Sequence, residues 1–329
     1  MRAARIVSLD GPQAIEVTAG APEPDAGTGH MLTPGEGVVV DVRAAGVSFP
    51  EVLQSRGEYQ LKPELPFVPG SEVAGTVRSA PEGSGLSEGD RVAAFPMLGG
   101  FAEQAIAPAF MTFALPDALD FAEGAGLILN YHTAYFALKL RARLQEGEQV
   151  LVHGAAGGVG TAALQIARGL GARTIAVVSS DEKETVARAA GADAVVRSDG
   201  PWREQAQEVS GGGVDVVLDP VGGDRFTDSL RSLREDGRVV VVGFTGGSIP
   251  EVRVNRLLLR NTEVIGAGWG AYVLGKPELN RSIGAALDDL IEAGFVRPIV
   301  GARFPLERVA DALELIDGRG ATGKVVLEL

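Results

Sequence analysis

The sequence predicts an α/β protein in which a doubly wound parallel-sheet domain is inserted between two parts of a β-rich domain. Three observations carry that expectation. At 329 residues the chain exceeds the ~250–300 residues at which one hydrophobic core usually stops growing. From Gly37 to about Gly75, short β-rich runs (VVVDVRAAGV, SEVAGTV) alternate with Pro and Gly punctuation such as Leu65-Pro66-Phe67-Val68-Pro69-Gly70. After about Glu123 the rhythm becomes apolar strand, glycine turn and amphipathic helix, repeated, which is the signature of a parallel sheet covered by helices. The expected division is 1–122 and 268–329 for the β-rich domain and 123–267 for the inserted one.

Within the inserted domain the expected strands are Gln149–His153, Thr174–Val178, Ala194–Arg197, Asp215–Leu218 and Arg238–Val242, with helices such as Asp181–Ala190 and Arg225–Leu233 between them. Their near-continuous Val and Ile suit strands buried on both faces. A further apolar strand, Asn261–Ala267, is either an inner strand or an edge able to pair with its twin across a two-fold axis. The tail carries amphipathic stretches at Glu278–Ala293 and Phe304–Ile316, then a final VVLEL strand that could return to the first domain.

Hydrophobic residues at 45% and charged residues at 22% are ordinary for a globular chain. The 30 basic and 43 acidic residues give a formal charge of -13, which repels polyanions and argues against a nucleic-acid partner. There is no cysteine, so disulfides, thiolate metal ligands and a cysteine nucleophile are all excluded. Met1–Asp10 leads into no apolar core of a signal peptide, and no uncharged stretch is long enough to span a bilayer. The expectation is a cytoplasmic protein with no membrane partner.

Strand Gln149–His153 leads into Gly154-Ala155-Ala156-Gly157-Gly158-Val159-Gly160 and a helix over Thr161–Leu170. Such a turn brings backbone N–H groups and a helix N-terminus up to a pyrophosphate, because glycine removes the side chains that would block it. A glycine-rich turn alone is weak evidence, but this one follows a strand, opens a helix and precedes a second strand. It reads as a Rossmann dinucleotide site, with Ala155 in place of the first motif glycine. The second strand ends at Ser179-Ser180, about twenty residues on, where NAD enzymes commonly carry a ribose-binding acid. Small hydroxyl residues leave room for a 2′-phosphate, and Lys183 and Arg197 could supply positive charge to it. Lysine occurs only at Lys62, Lys139, Lys183, Lys276 and Lys324, so Lys183 is less readily dismissed as surface filler. This favours NADPH, while Asp181 keeps NADH open as the alternative.

Several stretches together resemble the quinone oxidoreductase (zeta-crystallin-like) branch of the zinc-free medium-chain dehydrogenase/reductase superfamily. They are RAAGVSF (43–49), FVPGSEVAG (67–75), GGFAE (99–103), YHTA (131–134), VLVHGAAGGVG (150–160), DPVG (219–222) and GKVVL (323–327). The resemblance implies a GroES-like substrate domain plus a Rossmann domain, NADPH lying in the cleft between them, and a homodimer. It carries over as cofactor contacts Thr133, Ala156, Gly157, Gly158, Val159, Gly160, Ser180, Lys183, Val221, Gly243 and Phe244, with Lys324 near a further C-terminal contact. Ser179 and Arg197 join them on the strand-end argument above. The family segment P-G-H-E, whose His holds catalytic zinc, here reads Pro69-Gly70-Ser71-Glu72. The only histidines are His30, His132 and His153, and packing or a hydrogen bond is the expected role of the last two. Ser48 and Glu51 stand where the family often has Asn and Asp, and Ser198 where it often has Tyr.

Without zinc or thiol, catalysis would come from holding the nicotinamide against an electron-poor carbon and from polar groups facing the substrate oxygen. Quinones and other small conjugated carbonyl compounds suit this chemistry. Tyr59 matches a tyrosine that related enoyl-thioester reductases use as proton donor; a mere cleft-lining role is the alternative. Ser48 could hydrogen-bond substrate or nicotinamide ribose, or be a loop serine satisfied by backbone. Lys324 has a solvated lysine as its alternative. The competing functions are an enoyl-thioester or alkenal reductase and, in another class, a non-catalytic nucleotide-binding or structural protein.

Overall fold

The computed structural model describes residues 1–25, 27 and 29–329. Compactness divides the chain into one unit of residues 1–129, 277–281 and 298–329 and a second of residues 130–276 and 282–297. In chain order the first strands are β1 (Ala3–Ile6), β2 (Ile15–Thr18), β3 (Gly29–His30), β4 (Thr33–Pro34) and β5 (Val38–Val47). They are followed by β6 (Glu72–Ser79), β7 (Arg91–Ala94), β8 (Gln104–Ala107) and β9 (Thr112–Ala114). The second unit supplies β10 (Gln149–Val152), β11 (Arg173–Val178), β12 (Ala194–Arg197), β13 (Val214–Asp219), β14 (Leu233–Val241) and β15 (Glu263–Gly266). The chain closes with β16 (Val300–Pro305) and β17 (Lys324–Glu328).

In the first unit the main sheet runs β16-β17-β5-β6-β7-β9, with β8 also paired to β5. The long strand β5 is its centre, and Val38, Val40, Val42, Ala45 and Val47 all enter one core with Val73, Val92, Val325 and Leu327. The final strand does return to this sheet: β17 pairs antiparallel with β5, Val325 opposite Val47. Leu306, Val309, Ala312 and Leu313 cap the same core. The stretch expected to be amphipathic over Phe304–Ile316 is a composite: β16 runs to Pro305, a 3-10 turn covers Leu306–Arg308, and the helix is Val309–Asp317. Proline lacks the N–H that a helix interior needs, so the helix starts beyond it.

In the second unit six strands lie parallel in the order β12-β11-β10-β13-β14-β15. Strand order reverses between β10 and β13, the switch point of a doubly wound sheet. Val150, Leu151 and Val152 are wholly buried, as strands covered on both faces require. β14 starts at Leu233, earlier than the expected Arg238, directly after the helix Phe226–Ser232. β15, within the expected Asn261–Ala267, is an edge strand of this sheet rather than an inner one. Ahead of β10, residues Ile128–His132 and Phe136–Arg141 are wound as π-helix around a short α turn, Thr133–Tyr135. Among the described residues no helix is long and apolar enough to cross a membrane.

Candidate active site

Most of the residues expected to meet a dinucleotide follow the C-terminal ends of the parallel strands, whereas Thr133 lies ahead of β10 and Lys324 belongs to the first unit. β10 ends at Val152, and Gly154 turns the chain with φ of 58°, a left-handed conformation that glycine adopts without steric cost. The helix begins earlier than the expected Thr161, at Gly158, and runs to Gly169. Gly158, Val159 and Gly160 therefore form its first turn, whose N–H groups have no carbonyl of their own helix to reach. The N-cap is Gly157 and no side chain caps it. A Cβ on Gly160 would lie 2.2 Å from the Gly154 carbonyl oxygen and 2.6 Å from Ala155 Cα, so only glycine lets helix and turn approach this closely. Ala155 is wholly buried, and its methyl stands in the turn without opening it. An uncapped helix end behind a glycine turn fits an anionic diphosphate.

The next two strands end in a polar corner. Ser180 Oγ accepts the Lys183 N–H at 3.3 Å and so caps the helix Asp181–Ala189, while Lys183 Nζ donates to Ser179 Oγ at 3.3 Å. Arg197, at the end of β12, donates to the Ser179 carbonyl at 3.3 Å and pairs with Asp199 at 3.0 Å and with Asp181. The structure thus joins Ser179, Ser180, Lys183 and Arg197 but also ties up the guanidinium. Asp181 is almost wholly exposed, and an exposed ion pair of this kind holds weakly.

Beyond β13, Asp219 Oδ1 accepts the Val221 and Gly222 N–H groups at 2.9 and 2.8 Å and shapes the loop. Burial pushes this carboxyl above its usual range despite the two N–H donors. Beyond β14, Thr245 and Gly246 donate to the carbonyls of Pro220 and Val221, holding Gly243 and the partly exposed Phe244 beside that loop. Thr133 is nearly buried on its short α turn. Asn130, not anticipated from the sequence, fills the space over Gly158: a Cβ there would meet its Nδ2 at 2.4 Å. His132 meets the Trp269 ring edge-on with centroids 5.4 Å apart, a packing role.

The first unit holds a buried polar cluster. Ser48 precedes the helix Phe49–Ser55, and Glu51 at its third position accepts the Ser48 N–H at 2.9 Å. The other Glu51 oxygen accepts from the Ser71 N–H at 3.0 Å and the Ser71 hydroxyl at 2.5 Å. Complete burial pushes the Glu51 carboxyl above its usual range, against the opposing pull of Ser71 and of the Lys324 charge. Lys324 is not solvated: it is 3% exposed, donates to Ser48 Oγ at 2.7 Å and pairs with the wholly buried Glu72. Glu72 also accepts the Leu129 N–H at 2.9 Å. Tyr59 is half-buried; burial and the charge of Glu51 push its phenol above the usual range, which keeps it protonated. The sequence pointed to Ser48, Ser71 and Lys324 separately and gave no sign of their union.

Comparison with known proteins agrees with both units. The family model for the alcohol dehydrogenase GroES-like domain matches residues 34–117, and that for the zinc-binding dehydrogenase matches residues 158–283. Quinone oxidoreductase-like protein 2 of Bos taurus is 42% identical over 297 residues, covering 89% of this chain and 85% of its own. Quinone oxidoreductase of Rattus norvegicus is 36% identical, covering 100% of this chain and 98% of its own. A mycobacterial protein, Rv1454c, solved in complex with NADPH, superposes with a TM-score of 0.90 at 32% identity and full coverage of both chains. Fold and site thus define an oxidoreductase built from a GroES-like unit and a Rossmann unit, the medium-chain dehydrogenase/reductase plan. Within that class the chain belongs to the quinone oxidoreductase family.

Proposed function

We propose that this chain is an NADPH-dependent reductase of quinones or related small conjugated carbonyl compounds that works without zinc, as a cytoplasmic homodimer. The observation that carries the cofactor is the uncapped glycine-turn helix together with the Ser179–Ser180–Lys183–Arg197 corner. When bound there, NADPH supplies the hydride. The first turn, Gly158 to Gly160, holds the diphosphate, and the two serines leave space for the 2′-phosphate that Lys183 and Arg197 neutralise. Val221, Gly243 and Phe244 line the path toward the nicotinamide, while Thr133 and Ser48 offer hydroxyls to cofactor or substrate. In this mechanism the chain contributes position and hydrogen bonds, and the oxygen that gains charge is protonated from water.

Metal independence rests on the donor set. There is no cysteine in the chain, the Ser71 hydroxyl is spent on Glu51, and an ammonium already neutralises Glu72. No closed set of thiolate and imidazole ligands can be assembled there. A homodimer is supported by the edge strand β15, which carries the partly exposed Val264, and by Leu258 and Leu259 just ahead of it in sequence, 77% and 79% exposed. The protonated Tyr59 phenol favours a second reading, reduction of enals or enoyl thioesters, whose carbon protonation needs a placed acid. NADPH oxidation against a panel of quinones, enals and enoyl thioesters, repeated after exhaustive chelation, tests the proposal. Failure to turn over any of these acceptors, or activity restored only by zinc, would refute it.

A further inference from the structure

The union of Ser48, Glu72 and Lys324 has a polarity that bears on chemistry. Lys324 reaches its partners along a passage made by two glycines. A Cβ on Gly46 would lie 2.6 Å from Lys324 Cε, and one on Gly126 would lie 3.1 Å from its Cγ. At the inner end Glu72 is fixed by the Leu129 N–H. At the other end the ammonium donates to Ser48 Oγ. Glu51, Ser71, Glu72 and Lys324 are all buried, and Ser48 alone of the five is half-exposed. The ammonium uses a lone pair of that hydroxyl, so the serine's one hydrogen is directed elsewhere. A buried ion pair returns little net stability once desolvation is counted. Its larger effect is on the hydroxyl, which it polarises as a donor from the buried side.

We propose that Lys324 is a positioning residue that holds Ser48 as a hydrogen-bond donor to the carbonyl oxygen of the substrate. The inference rests on the reductase function proposed above. As hydride adds to the conjugated carbon, the displaced π pair moves through the system to the carbonyl oxygen. Ser48 O–H donates to that oxyanion. NADPH is oxidised by two electrons, the substrate is reduced by two, and the one proton needed comes from water, so Lys324 keeps its charge throughout.

Two measurements test this with 1,4-benzoquinone as the acceptor and 4-nitrophenol as an oxyanion probe. The variants are Ser48→Ala, which leaves the ion pair intact, Lys324→Met with Glu72→Gln, which removes both buried charges together, and all three changes combined. Each of the first two should lower kcat on the order of 10²-fold with KM for NADPH unchanged, and the combination should lose no more than either. In the wild-type protein bound 4-nitrophenol should ionise on the order of one pH unit lower than in water, and in the variants that shift should vanish. Losses that multiply, losses confined to KM, or a bound phenol with no shift or no binding would each overturn the proposal. If the wild-type enzyme fails to oxidise NADPH with any of the acceptors, the reductase function fails, and the phenol spectrum alone still decides the role of Lys324.

Discussion

Acid should destabilise this protein through one buried histidine. His153 follows β10 and is wholly buried. The Ser229 hydroxyl hydrogen is used on the Arg225 carbonyl at 3.2 Å, so His153 Nε2–H donates to Ser229 Oγ at 2.8 Å. That leaves Nδ1 as a bare acceptor with no hydrogen-bond partner, and the Trp202 ring stands edge-on with centroids 4.9 Å apart. A proton on Nδ1 would bury an unpaired N–H and a positive charge. Burial, reinforced by the charge of Arg225, therefore lowers the pKa from 6.5 to about 3. The folded protein excludes a proton that the unfolded chain binds, so the stability due to neutral His153 is complete above pH 6.5 and is lost as pH falls toward 3. At about 1.4 kcal/mol per unit, the loss is roughly 2 kcal/mol between pH 7 and 5 and roughly 5 kcal/mol over the whole window. Urea unfolding of wild type and His153→Gln at pH 7, 6 and 5 measures it: the gap between the two should narrow by roughly 2 kcal/mol over this range. The wild-type imidazole should also keep a neutral ¹⁵N signature, protonated at Nε2, at pH 5. Parallel stability curves, or an imidazole charged at pH 5 in the folded protein, would refute the reasoning.

Glu51 acts in the opposite direction. Its folded-state pKa is raised by burial, so its contribution is complete below the ordinary value of 4.5 and falls as pH rises through the folded value; Glu51→Gln should remove that slope, as unfolding curves taken between pH 4.5 and neutrality will show. Arg238 is buried, donates in bidentate fashion to Glu148 at 2.8 and 2.6 Å and also donates to the Ala142 carbonyl, so Glu148→Ala strands a guanidinium and should cost about 3 kcal/mol in a denaturant titration. Replacing Lys183 and Arg197 together by Ala should weaken NADPH binding by on the order of tenfold or more and leave NADH nearly unchanged, a contrast that fluorescence titration resolves. Tyr59→Phe should reduce turnover of enals by about 10² and of quinones far less if the phenol is a proton donor, whereas equal modest losses assign it to the pocket wall.

The parts legible in the sequence were those whose signal is local. The parallel strands, the glycine turn and the serine pair after β11 each announce themselves within about a dozen residues through β-branched runs and glycine punctuation. What escaped was set by partners far along the chain. Lys324 is 252 residues from Glu72, and nothing in Gly323-Lys324-Val325 says that its ammonium is buried. Asn130 over Gly158 was invisible because a π-wound segment places it, and hydrophobic periodicity has no signature for π-helix. Phe304–Ile316 looked like one stretch because an apolar strand and an apolar helix face follow each other across Pro305. Arg197 stood out as a candidate, but its restraint by Asp181 and Asp199 came from side-chain geometry rather than residue type.

The place of β17 has a consequence for how the protein is made. It lies between β16 and β5, inside the sheet of the first unit, yet it follows every other strand of that sheet in sequence. On the ribosome, residues 1–129 emerge with β5 paired to β6 and β8 but with its Ala44–Val47 stretch unpaired on the side that β17 will take, and the second unit, nearly continuous in sequence, can close while they wait. The nascent first unit therefore presents a short apolar sheet edge, Ala44–Val47, for most of translation, the kind of surface that recruits chaperones or pairs with another nascent chain. Ribosome-bound chains stalled before residue 324 should be protease-sensitive in the first unit and resistant in the second, so the strand that brings Lys324 to Ser48 is also the one that fills the gap in that sheet.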